Sequence, residues 1–247
     1  MFPKSRLIVA LGLVLALGVS SLAFATAALN DAKVLGKVTP KKLDPKTFKK
    51  VNLFLGVENS SEHINGSQSN PASEYISIGK NVKINLKKAP LCPVTFSNGT
   101  PTASAKAQCP PGSVLGSGEA EVRSGPASQG DSTLVARPVV TVFNGPTLGE
   151  LQLHTYSDDL GAASPTVPAR VVKSTAGAAY GQALDVPRAP ETGAVMITKF
   201  NATITKSAGV ALARCKAKKI PFLRKVTYKD GTSETAILKQ RCRRTES

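Results

Sequence analysis

From residue 51 onward, apolar side chains recur at every second position in short runs, and no segment beyond the N-terminus shows the 3.6-residue period of a helix. Val51, Leu53, Leu55 and Val57 alternate with Asn52, Phe54 and Gly56, and Val82, Ile84 and Leu86 alternate with Lys83, Asn85 and Lys87. Successive side chains of a strand point to opposite faces, so this alternation marks half-buried strands. Further strands are expected at 119–123, 133–143, around Leu151, Leu153 and Thr155, and at 169–173, 194–205, 210–215, 222–228 and 232–241. Within 194–205, Met196, Thr198, Phe200, Ala202 and Ile204 should share one face. Asn144-Gly145-Pro146 carries turn chemistry, and Asp230-Gly231 predicts a two-residue type I′ hairpin. Many short strands separated by such turns predict an all-β protein, an antiparallel β-sandwich of Ig-like or jelly-roll-like kind.

The N-terminus is of a different character. Lys4 and Arg6 precede a largely apolar stretch from Leu7 to Leu22, which ends in Ala23-Phe24-Ala25 with small residues where a signal peptidase reads. The stretch is slightly short for a spanning helix, which needs roughly 17–25 residues. Residues 1–25 are therefore expected to be a cleaved signal peptide, 26–50 an extended basic lead-in, and 51–247 the β-sandwich domain. A chain of this size fits one large sandwich or two small ones.

Export gives the four cysteines a meaning. An even number outside the cytoplasm reads as disulfides, and Cys92, Cys109, Cys215 and Cys242 allow three connectivities. The local one, Cys92–Cys109 and Cys215–Cys242, is favoured. The spacings match no zinc pattern, and neither a metal nor a cofactor is expected.

Part of the sequence is similar to exported proteins of Actinobacteria. The segment Cys109-Pro110-Pro111-Gly112-Ser113-Val114-Leu115-Gly116-Ser117-Gly118-Glu119-Ala120 carries the similarity. So do Val142-Phe143-Asn144-Gly145, Leu151-Gln152-Leu153-His154, Thr227-Tyr228-Lys229-Asp230-Gly231 and Gln240-Arg241-Cys242. The resemblance implies export, paired disulfides and a β fold, and it brings no active site with it.

Candidate chemistry is sparse. His154 falls on the strand face opposite Leu151 and Leu153, beside Gln152 and Tyr156, and reads as an exposed strand histidine. With Asp158 and a serine it could build a hydrolase triad, but no Gly-x-Ser-x-Gly elbow is present, and His63 lies in a polar loop. Glu119 and Glu121 share a strand face and read as solvated rather than as a glycosidase pair, which would face each other across a substrate. Gly116-Ser117-Gly118 reads as a tight turn, and Asp158-Asp159 is too small a set of oxygens for calcium.

Charge is the strongest functional signal. The net charge is +16, of which the signal's Lys4 and Arg6 account for two. Residues 206–247 hold twelve Lys plus Arg against three acids, including Lys216, Lys218, Lys219, Arg224, Lys225, Arg241, Arg243 and Arg244. The lead-in adds Lys33, Lys37, Lys41, Lys42, Lys46, Lys49 and Lys50. Such clusters bind polyanions by releasing counterions, and they also keep sheet edges from pairing. Interleaved aromatics, which nucleic-acid recognition would bring, are lacking. The expected function is non-catalytic binding of anionic cell-envelope polymers through Lys216, Lys218, Lys219, Arg241, Arg243 and Arg244. The alternative is a secreted hydrolase using His154.

Overall fold

The computed structural model describes residues 32–59, 71–124, 133–188, 195–229 and 231–245. The expected signal peptide, His63 and Asp230 lie outside these residues. The fold is all-β with an antiparallel main sheet, and both disulfides are local, Cys92–Cys109 and Cys215–Cys242.

Twelve strands form one sheet. Its path begins with β1 (Lys33–Thr39), β4 (Asn52–Glu58), β13 (Val195–Ile204) and β7 (Val114–Ser124). It continues through the meander β9 (Val139–Asn144), β10 (Glu150–Tyr156), β11 (Thr166–Lys173) and β12 (Tyr180–Val186). It ends with β5 (Pro71–Gly79), β15 (Lys219–Tyr228) and β16 (Ser233–Arg241), while β8 (Thr133–Ala136) pairs with β7 off this path. Two short ladders accompany it. One joins β3 (Lys49–Lys50), β14 (Ala211–Ala213) and β6 (Val82–Ile84), and the other is a parallel pair, β2 (Lys42–Leu43) with β17 (Arg243–Arg244).

The two ends of the sheet meet, so its layers belong to one sheet folded back on itself as a near-barrel. The seam between β1 and β15–β16 is closed by side chains rather than by a ladder. Val38 N–H donates to Gln240 Oε1 (2.6 Å), and Gln240 Nε2 donates back to the Val38 carbonyl (3.0 Å). Gly36 lies so close to the Phe222 ring that a Cβ there would sit 2.5 Å from it. The alternate residues Leu53, Leu55 and Val57, with Ile76, Ile78, Leu151, Leu153, Ile204 and Phe222, fill the interior between the layers.

Among the described residues Arg224 is the largest fully buried side chain, and it completes the seam. It lies in phase with Phe222 and Val226 on the inner face of β15. Its Nε donates to Glu74 Oε2 (2.7 Å), and Nη2 donates to Glu74 Oε1 and to Asn59 Oδ1. Nη1 donates to the carbonyls of Glu58 (2.9 Å) and Lys33 (3.4 Å). One guanidinium thus ties β15 to β5, to the end of β4 and to the start of β1. Burial pushes the Glu74 carboxyl upward, against the opposing pull of Arg224.

Several elements depart from expectation. The lead-in is not a separate tail: Lys33–Thr39 pairs with β4 along its length and buries Val34 and Val38. The strand expected over 133–143 breaks between Ala136 and Val139, around Pro138, which has no N–H for the ladder. The alternation at 82–87 yields only Val82–Ile84 before a 3-10 turn at Leu86–Lys88. Gly116-Ser117-Gly118 is strand rather than turn. The β13 backbone packs so closely on it that a Cβ would lie 1.8 Å from the Thr203 carbonyl oxygen at Gly116 and 2.0 Å from that of Asn201 at Gly118.

A register shift between Ile197 and Lys199 breaks the face expected for β13, and Thr198 turns away from Phe200 to hydrogen-bond Glu121. At the β15–β16 hairpin, Tyr228 N–H donates to the Thr232 carbonyl and Gly231 N–H to that of Tyr228, with Gly231 at φ +84. Three residues rather than two therefore separate the closing pair, and the glycine occupies the bulge position of such loops.

Candidate functional site

The C-terminal basic cluster is assembled around the second disulfide. Cys242 follows β16 directly and bonds back to Cys215, with Cα atoms 5.9 Å apart. Cys242 N–H donates to the Lys218 carbonyl (3.0 Å), and Lys219 lies opposite Arg241 in the β15–β16 ladder. The chain then enters β17, where Arg243 N–H donates to the Lys41 carbonyl (2.8 Å) and Thr245 N–H to that of Leu43 (2.9 Å). This parallel pairing brings the basic lead-in onto the basic C-terminus.

The result is a groove of about 540 Å³ lined by Lys41, Lys218, Lys219, Gln240, Arg241, Cys242 and Arg243. Its five cationic side chains are exposed, and among the described residues none makes an ion pair with a carboxylate. The nearby Asp44 is occupied otherwise: its Oδ1 accepts the N–H groups of Lys46 (2.7 Å) and Thr47 (2.6 Å). Those backbone donors hold its carboxyl below the usual range, led by Thr47, so its charge serves a turn. Like charges gathered in one concave site repel each other and raise the local potential for an anion.

Of the six residues expected to bind polyanions, Lys218, Lys219, Arg241 and Arg243 line the groove together. Lys216 and Arg244 are held beside it by a hydrogen bond from Arg244 Nη2 to the Lys216 carbonyl (2.7 Å). Lys41, counted with the lead-in and not among the six, joins them only through the long-range pairing of β2 with β17. Arg224, counted with the surface cluster, is removed from it by burial. A second basic patch lies on the β3–β14–β6 ladder, where Lys83 Nζ and the Arg214 guanidinium stand 4.5 and 4.6 Å from the Phe48 ring centre.

His154 is not the exposed residue its alternation suggests. The excursion stapled by Cys92–Cys109, which includes the short helix α1 (Thr102–Ala107), covers the outer face of β9 and β10. Gln152 Nε2 donates to the Val94 carbonyl (2.7 Å), and the His154 ring packs against Phe96 (5.3 Å) and Phe143 (6.1 Å). Its Nδ1 meets Thr166 Oγ1 at 3.1 Å, and among the described residues its Nε2 has no partner in hydrogen-bonding geometry. Asp158 is engaged elsewhere, accepting from the Tyr156 hydroxyl (3.0 Å). Glu121 is not a free catalytic acid either: Arg123 donates to it at 2.7 Å and holds its carboxyl below the usual range.

Burial pushes the His154 imidazole below its ordinary 6.5, although the Thr100 backbone favours the charged ring somewhat. The unfolded chain therefore takes a proton at higher pH than the folded one. Stability should be full above roughly pH 6.5 and fall as the pH drops toward the folded value. Urea midpoints measured from pH 8 to 5 should show this decline, and His154→Phe should flatten it. An equal slope in the variant would assign the decline to other groups.

Among the described residues, no three His, Cys, Asp or Glu side chains gather as a metal would require. No described helix is long and apolar enough to cross a membrane. Compared with known proteins, the chain matches no family model and no curated sequence.

Proposed function

We propose that this is an exported, non-catalytic β protein that holds anionic cell-envelope polymers in the groove between β2, β17 and the β15–β16 hairpin. The observation that carries the reading is five cations in one groove with no carboxylate partner among the described residues, drawn from opposite ends of the chain. Two disulfides support an extracytoplasmic setting, since such bonds persist in oxidising compartments. The apolar leader ending at Ala23-Phe24-Ala25 and the resemblance to exported actinobacterial proteins point the same way.

Each cation paired with a phosphate of a polymer releases a condensed counterion, so binding should fall steeply with salt. Five such contacts give a slope of log affinity against log salt of roughly −3.5 to −4.5. Co-sedimentation of the purified, oxidised protein with isolated cell envelope across a salt series measures this. Replacing Lys41, Lys218, Lys219, Arg241 and Arg243 together by glutamine should abolish the salt-sensitive fraction. A variant that binds as tightly as the wild type overturns the reading.

A further inference from the structure

We infer that the interior of the near-barrel is a binding site for a short linear alkyl chain, independent of the basic groove. Two spaces of about 90 and 50 Å³ lie between the layers of the sheet. They are in line along the strands. On β4, Leu53 and Leu55 border the inner space, Val57 borders both and Asn59 the outer one. The same order repeats as Leu151, Leu153 and Thr155 on β10, while Ile76, Leu184 and Phe200 border both spaces from three other strands. Taken together, the two spaces follow the strand direction and are walled by hydrocarbon.

Its origin is geometric. A barrel of about eight strands is just wide enough for side chains to fill it. The circuit here runs through eleven strands, and its inward residues are mostly Val, Leu and Ile. Side chains of that size do not span the extra width everywhere.

The polar groups at the outer end are already satisfied. Glu74 accepts from Arg224, Asn59 Oδ1 accepts from Arg224 while its Nδ2 donates to the Ile197 carbonyl (2.7 Å), and Thr155 Oγ1 donates to the Pro165 carbonyl (2.5 Å). Among the described side chains that line it, none keeps a free donor or acceptor to select a polar ligand. Apolar spaces of this order stay dry and take up small hydrocarbons, and the in-line shape selects a linear one.

The test is titration of the oxidised mature protein with normal 1-alkanols of increasing length, read by calorimetry. Affinity should rise about fourfold per added methylene while the chain still fits, then level off. Val57→Phe, which puts a ring where both spaces are bordered, should lose binding, and Leu184→Ala should move the levelling point to a longer chain. No saturable binding by any alkanol up to its solubility overturns the proposal. So does a folded Val57→Phe that binds like the wild type. If that variant does not fold, an unmoved levelling point in Leu184→Ala overturns it instead. A parallel incubation of the groove's glutamine variant with phosphatidylglycerol vesicles, followed by repurification and mass analysis, identifies the source. Retained lipid marks an acyl tail as the occupant, and alkanol binding without lipid retention marks a free hydrocarbon. The groove's glutamine variant should bind alkanols normally, so the two sites can fail separately.

Discussion

Replacing Arg224 by alanine is expected to destabilise the protein by about 3–5 kcal/mol, the usual cost of leaving one member of a buried ion pair without its partner. The side chain is fully buried, and its loss strands four groups at once: the Glu74 carboxylate, Asn59 Oδ1, and the carbonyls of Glu58 and Lys33. Those groups sit on strands from both ends of the sheet, so the seam should loosen before the meander does. Without the guanidinium, burial alone acts on Glu74 and raises its carboxyl further. A carboxyl whose folded pKa is raised stabilises the fold at low pH and loses that contribution as the pH rises through the folded value. The variant's deficit should therefore shrink between pH 7 and pH 5. Urea unfolding at both values measures it, with Arg224→Met combined with Glu74→Leu as the control. That pair removes both charges and should recover most of the loss. A single variant that unfolds like the wild type at pH 7 would mean that the seam is held by Gln240 and the Phe222 contact alone.

Arg224 also shows what the sequence could and could not convey. Its burial was legible, since it alternates in phase with Phe222 and Val226; counting it among the C-terminal charges overrode that local signal. His154 is the converse case. The period of two placed it correctly on the face opposite Leu151 and Leu153, but the cover over that face comes from residues some sixty positions earlier. Strands β5 and β12 left little trace, because Ser73, Glu74 and Ser77 in one, and Gly181, Gln182 and Asp185 in the other, interrupt the apolar pattern. Ser77 is itself fully buried, hydrogen-bonded to Ser174 across the sheet. The disulfides were legible because local pairing over short loops needs no knowledge of topology. The groove was half legible: four of its cations cluster in sequence, while Lys41 reaches it through a pairing across about two hundred residues, which no local pattern encodes.

That dependence on long-range pairing makes the two disulfides functionally unequal, although their expected contributions to stability are alike. The chain-entropy relation gives roughly 3–4 kcal/mol for each, since the loops differ only modestly in length. Replacing Cys215 and Cys242 together by serine should cost about that much and also free β17 from the hairpin. Arg243 would then leave Lys41, and the groove would open. Replacing Cys92 and Cys109 together should cost a similar amount, yet it releases only the excursion over His154, on a face remote in the sheet order from the hairpin. The expected results are therefore similar drops in urea midpoint for the two serine pairs, but loss of salt-sensitive envelope binding for the Cys215–Cys242 pair alone. Binding is to be measured well below each variant's unfolding midpoint, so that folded protein is compared with folded protein. Should both pairs bind like the wild type, the cations act without a shaped groove, and the basic surface as a whole becomes the binding element. Should both lose binding equally, affinity follows global stability rather than the local clamp that Cys242 places on β17.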